Sequence, residues 1–299
     1  MKRFSMVTLA LAAIAFAGLA VAQPAGTLKK IQDAGAITIG HRDASVPFSY
    51  YDDKQQPIGS AMDLCMKIVD AVKAELKLPA LKVNYQLVTS ANRIPLMANG
   101  TIDLECGSTT NTLTRQKQVA FAPITFITGT KLLVKKSSKI KSYKDLKNKT
   151  VVVTQGTTNE RIIKSLSDKE NLGIRFLNAK DHAESFLTVE SGRAVAFSMD
   201  DILLYGLVAK AKNPKDFDVV GEFLSYDPYG MMFRNNDDAF GVVVRRAIAR
   251  LFGEPGLCNG PIKAIYKKWF IDPLPSGEKM GTPMNPLLEA SCRANSLPD

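Results

Sequence analysis

Apolar positions along this chain switch repeatedly between a period near 3.6 and a period of two. In SAMDLCMKIVDAVKAEL, residues 60–76, Cys65, Ile68, Val69, Val72 and Leu76 recur at helical spacing, so one face of that helix is core. Ahead of it, TLKKIQDAG reads as a short helix closed by Gly35 and AITIGHR as a buried strand, with the loop SVPFSYYDDKQQPIG between. Behind it come strand LKVNYQLV, helix NRIPLMANG, strand TIDLECG, helix TRQKQV, strand TGTKLLVKK, helix SYKDLKNK and strand TVVVTQG. TNERIIKSLSD, IRFLNAK, DHAESFLTVESG, RAVAFSMD, DILLYGLVAKA and FDVVGEF continue as helix, strand, helix, strand, helix, strand. A long helix DDAFGVVVRRAIARLFG and a shorter KAIYKKWF end the folded part, and a Pro-rich tail follows. This rhythm predicts α/β units whose mostly parallel sheets are flanked by helices.

In such sheets, ligands bind beyond the carboxyl ends of the strands, where helix N-termini expose unpaired N–H groups. Those positions hold Arg42 after AITIGH, Ser90 and Arg93 after NYQLVT, and the stretch Gly107 to Arg115 after TIDLEC. They also hold Gly156-Thr157-Thr158 after TVVVTQ, His182 after IRFLNAK and Asp200 after AVAFSM. Each has an ordinary reading: a lone arginine is usually solvated, His182 can simply start a helix, and Asp200 or Asp201 can cap one. Their joint placement matters more, because three arginines and a carboxylate at equivalent strand ends meet in one cleft.

The chain begins Met1-Lys2-Arg3, runs apolar from Val7 to Ala20, and closes on Ala20-Val21-Ala22 before Gln23. That is the pattern of a secretory signal peptide, residues 1–22. The apolar run is too short for a spanning helix, and no second one follows. What remains has the length of about two domains of roughly 100 to 200 residues. The formal net charge of +10 favours anionic partners. Its lysines are scattered and not interleaved with aromatics, so no nucleic acid is expected.

Export changes the reading of the cysteines. Cys65, Cys106, Cys258 and Cys292 are an even set with no C-x-x-C pair, and an oxidising compartment favours two disulfides. Cys65 with Cys106 and Cys258 with Cys292 is the preferred pairing of the three possible, since it keeps the N-terminal half apart from the tail. With two histidines and no H-E-x-x-H, no metal or cofactor is implied. The stretch GSTTNTLTR lacks the second glycine and the lysine of a phosphate loop. No G-x-S-x-G marks a serine nucleophile. The stretch also has a plain reading, a polar strand-to-helix connection with a hydroxyl cap.

The segments GHRDASVPFSYYDD, TSANRIPLMANGTIDLECGSTTNTLTRQKQVAF, VVVTQGTTNE, AKDHAESFLTVESGRAVAFSMDD and YDPYGMMFR occur in order. From about Thr27 to about Pro275 the chain resembles the extracytoplasmic solute-binding proteins of bacterial amino-acid ABC transporters (solute-binding protein family 3), in their glutamate/aspartate-binding branch. The resemblance implies a two-lobed, hinged periplasmic binding protein type II fold, each lobe a mostly parallel sheet flanked by helices. Lobe 1 would comprise 27–127 and 222–299, lobe 2 128–221, with crossings near Thr125 to Gly129 and Glu222 to Asp227. It further implies that Arg115 holds an α-carboxylate and that Asp200, with Ser108 and Thr110, takes an α-ammonium. Arg42, Ser90, Arg93 and His182 would surround a side-chain carboxylate, with Thr158 reaching from lobe 2. The implied partners are L-glutamate or L-aspartate and a membrane permease, the implied state a monomer in the periplasm, and the implied role carries no catalysis. Two other readings stay open: a cyclohexadienyl dehydratase-like enzyme, for which His182 or Glu105 would have to act as acid, and a sensory ligand-binding module.

Overall fold

The structure, a computed structural model, describes residues 26–298. The signal-peptide segment, residues 1–22, lies outside the described residues. Among those described, no helix is long and apolar enough to cross a membrane.

Two five-stranded sheets organise the chain. In the first, the order is Lys82–Leu87, Ala36–His41, Leu104–Cys106, Met232–Arg234 and Val119–Phe121. Its first three strands are parallel, and Met232–Arg234 runs antiparallel to both neighbours. In the second, Arg175–Ala179, Thr150–Thr154 and Ala196–Asp200 are parallel, followed by Thr130–Lys135 and Phe217–Val220 as antiparallel additions. The chain passes between the sheets along Phe126–Thr128 and returns along Asp227–Tyr229, and these two strands pair antiparallel.

The sequence pattern explains the layering. TVVVT has an unbroken apolar centre because its strand is covered on both faces. Successive side chains alternate sides, so Val151 and Val153 pack with Leu132, Val134 and Ile163, while Val152 joins the larger core with Leu133 and Phe197. Burying each such side chain contributes roughly 1.5–3 kcal/mol. On the first sheet, the Ser60–Leu76 helix lays its Cys65, Ile68, Val69, Val72 face on the core and packs against the Asp238–Leu251 helix.

Both disulfides form as Cys65–Cys106 and Cys258–Cys292. The first fastens the Ser60–Leu76 helix to the end of strand Leu104–Cys106, just ahead of the polar stretch that follows. Some elements depart from the sequence pattern. TRQKQV narrows to a single turn, Leu113–Gln116, and SYKDLKNK to a 3₁₀ turn, Tyr143–Leu146, opened by a Ser142/Asp145 capping box. The Pro-rich tail is also folded: Pro286–Asn295 is a helix, with Asn285 capping it through Leu288 N at 2.7 Å. Proline at the first helical position costs nothing, since that N–H has no intrahelical partner. Asn285 also donates to the carbonyl of Ile127 at 3.3 Å, so the tail is tied to a crossing strand.

Candidate functional site

The Gly107–Arg115 stretch leaves its strand between the sheets and is fixed from three sides. Asn111 N donates to Pro228 O at 2.7 Å and Gly230 N to Thr109 O at 3.2 Å, which attaches it to the returning strand. Thr112 caps the turn that carries Arg115, accepting from its N–H at 3.2 Å. The Arg115 side chain then folds back: Nη1 donates to Thr110 O at 2.8 Å and Nη2 crosses to Gly156 O at 3.2 Å. The plain reading of this stretch as a capped connection is therefore correct, and it coexists with a converging site.

At one end of the cleft sit Arg42, Arg93 and His182, at 1%, 2% and 2% exposure. Arg93 donates to Ser108 O at 3.3 Å and to the Thr109 hydroxyl, and its Nη1 lies 3.7 Å from Glu105 Oε1. Thr109 passes the chain on to Glu105 Oε2 at 2.6 Å. Among the described residues, Glu105 is the one ion-pair partner of this arginine pair, and it contacts Arg93. A set of buried polar atoms here makes no hydrogen bond within the protein: Arg42 Nε and Nη1, Arg93 Nε, Ser90 Oγ, Ser108 Oγ, His182 Nε2 and the carboxylate oxygen Glu105 Oε1. Burial, reinforced by Arg93, pulls the Arg42 guanidinium down to about 10. Burial and the two arginines hold His182 well below its usual range. Both effects favour the neutral imidazole over the imidazolium. Its Nδ1 lies 3.4 Å from Ser45 Oγ.

The other end is carboxylate-rich, and every carboxylate oxygen of Asp200 and Asp227 already accepts a hydrogen bond. Asp200 occupies the N-cap position of the Asp201–Ala209 helix, yet its side chain makes no capping bond. Instead Oδ1 accepts from Asn159 Nδ2 at 2.7 Å and Oδ2 from the Tyr229 hydroxyl. Asp227 accepts from Thr158 Oγ1 at 2.9 Å and from the Ser225 hydroxyl. Thr158 Oγ1 lies 3.4 Å from Thr110 Oγ1 across the cleft. Burial first, and then the neighbouring Asp227, push Asp200 up to about 7, against the opposing bonds from Tyr229 and Asn159. Burial, with Arg93 next, lowers Arg115 to about 9.

All nine residues singled out at strand ends, Arg42, Ser90, Arg93, Ser108, Thr110, Arg115, Thr158, His182 and Asp200, are buried. Sequence reasoning did not assign Thr109, Asn159, Asp227 or Tyr229, which complete the hydrogen-bond network, and weighed Glu105 only as an acid. The signal available for two of them was an aspartate and a tyrosine inside the short strand DPY, where solvent-facing residues are not expected.

Arginines paired with hydroxyls at one end and carboxylates at the other describe a receptor for a small zwitterion carrying an extra negative charge. A family model for bacterial extracellular solute-binding proteins, family 3, matches residues 37–272. The chain belongs to this family. Over 280 residues it is 51% identical to the L-glutamate/L-aspartate-binding protein of Pseudomonas aeruginosa, covering 93% of this chain and 91% of that relative. It is 47% identical over 264 residues to the glutamate/aspartate import solute-binding protein of Escherichia coli, covering 87% and 86% of the two chains. Among solved structures, an arginine-binding protein variant from T. maritima superposes with a TM-score of 0.72 at 25% identity, over 83% of this chain and 100% of that one. An ancestral arginine-binding protein bound to glutamine gives 0.70 at 28% identity, over 80% and 99%. Members of this family are solute-binding proteins, and the two-sheet α/β fold is that of type II periplasmic binding proteins.

Proposed function

We propose that this protein captures L-glutamate or L-aspartate in the cleft between its two sheets and delivers it to the permease of an ABC importer. The observation that carries this reading is the arginine end: two buried guanidiniums with one carboxylate in ion-pair contact, and guanidinium N–H groups, hydroxyls and an imidazole nitrogen without partners around them. A side-chain carboxylate satisfies those donors and supplies the missing counter-charge. A neutral amino acid would leave a buried cation uncompensated, which is costly. The relatives named for glutamate and aspartate support the same choice.

In this reading Arg115 holds the α-carboxylate with its remaining N–H groups, and Asp200 takes the α-ammonium together with the Ser108 and Thr110 oxygens. Arg42, Ser90, Arg93 and His182 surround the side-chain carboxylate, and Thr158 closes over the ligand. The lobes comprise 27–127 with 222–299, and 128–221. The chain acts as a monomer after export and removal of residues 1–22. Isothermal calorimetry against glutamate, aspartate, glutamine and arginine tests the assignment. Sub-millimolar binding of glutamate or aspartate is expected. The reading is overturned when neither binds in that range while another solute does.

A further inference from the structure

A glycine lies in the interior of the Asp201–Ala209 helix for which that helix has no use. Gly206 has ordinary right-handed backbone, unlike the glycines of the chain with positive φ. In a helix interior glycine costs about 0.5–1 kcal/mol relative to alanine. The reason for it lies across the cleft. A Cβ at Gly206 would stand 2.4 Å from the carbonyl oxygen of Val46 and 3.0 Å from its carbonyl carbon. Val46 belongs to the segment that follows Arg42, on the side of the first sheet. One helical turn further, the Lys210 ammonium stands over the Tyr50 ring, 5.2 Å from its centroid. Residues 206 and 210 share a helix face, and they meet residues 46 and 50 of the opposite unit. Gly156 makes a similar close approach, its Cβ position 2.6 Å from Ala91 Cα, but its φ of +81° requires glycine for local reasons as well.

We propose that the Gly206–Lys210 face is the seam on which the two units close, and that Gly206 sets affinity by permitting full closure without touching the ligand. The closing carbonyl is backbone and cannot swing aside, so an added methyl holds the units apart. This inference rests on the cleft being the ligand site.

The test uses the full mature chain with Gly206→Ala, glutamate and aspartate calorimetry, and thermal melts without ligand. Overpacking such a contact is expected to weaken binding roughly 5- to 150-fold. The melting temperature without ligand should stay equal or rise, because alanine favours the helix. Lys210→Ala should weaken binding less, by about two- to fivefold for an exposed cation–π contact. Unchanged affinity in Gly206→Ala overturns the proposal. So does a lowered ligand-free melting temperature, which would mean that Gly206 serves packing within its own unit. If the unaltered chain binds neither amino acid, the ligand assignment fails separately, and the seam is read without ligand. All four cysteines are in disulfides, so a nitroxide on Leu187→Cys at the exposed position 187 reports the closed fraction by paramagnetic relaxation. Gly206→Ala must lower that fraction, and an equal fraction sinks the seam.

Discussion

The two ends of the cleft are built on opposite principles. At the arginine end, Arg42, Arg93, Ser90, Ser108 and His182 keep buried polar atoms that nothing in the protein satisfies. At the carboxylate end, Asp200 and Asp227 each accept two hydrogen bonds from neighbours. An unsatisfied buried group costs about 1–3 kcal/mol, and more when charged. The first end thus carries its cost in the protein alone and recovers it on binding, whereas the second is already compensated. In the proposed function, selectivity for an acidic side chain therefore concentrates at the arginine end. The hydrogen bonds of the carboxylate end contribute to the folded state, whereas the buried Asp200 charge, once ionised, weighs against it.

The largest effect that separates the two ends is expected from Arg42→Met. Removing one partner of a buried charge pair costs about 2–5 kcal/mol, roughly 30- to 5,000-fold in glutamate affinity by calorimetry. The ligand-free melting temperature should not fall, because a buried cation without a hydrogen-bond partner at Nε and Nη1 has been removed. A marked loss of stability with intact binding would reverse the contrast.

Next in size is pH. Asp200, raised to about 7, must be ionised to pair with an ammonium. Binding below pH 7 therefore releases a proton, and affinity should rise by up to about tenfold per unit from pH 5 to pH 7 and then level off. Asp200→Asn should bind weakly with no such slope. For stability the sign is opposite to that of a salt-bridged aspartate. The folded protein keeps this proton where the unfolded chain, at the ordinary carboxylate value near 4, has lost it. The stabilisation is full below about pH 4 and gone once pH has climbed through 7. Asp200→Asn should accordingly melt higher than the unaltered protein at pH 8 without ligand.

The smallest effect on binding, with the clearest effect on folding, is expected from Tyr229→Phe. Losing the hydroxyl that donates to Asp200 should cost about 1–3 kcal/mol in urea unfolding. Because that bond favours the ionised carboxylate, its loss should move the break in the pH–affinity curve above 7. A curve left where it was would place the control of Asp200 elsewhere.

Much of this was legible before any coordinates. Strand-then-helix alternation located the strand ends, and the strand ends located Arg42, Arg93, Arg115, His182 and Asp200. The cysteine set, read as that of an exported chain, led to Cys65–Cys106. What stayed hidden depends on contacts between distant segments. Asp227 and Tyr229 sit in a three-residue strand, too short for a period to be read, and gain meaning only when Thr158 and Asp200 arrive beside them. Glu105 lies in an apolar strand, where a carboxylate makes sense only with Arg93 and Thr109 around it. The tail helix was masked by prolines, which its Asn285 cap and first-turn position turn from breakers into starters.

The strand order of the first sheet also bears on how the chain is made. Leu104–Cys106 and Val119–Phe121 do not pair with each other; Met232–Arg234 lies between them. Every strand of the second sheet falls between residues 130 and 220. As the chain emerges from N to C, the second sheet can be completed while the first still has a gap between Leu104–Cys106 and Val119–Phe121. The unit that supplies all three cleft arginines is thus the last to finish, and its missing strand follows directly on the one that carries Asp227 and Tyr229. Non-local pairing of this kind is slow and leaves apolar edges uncovered meanwhile. A nascent chain stopped before residue 232 therefore lacks a completed binding cleft, whatever its second sheet has achieved.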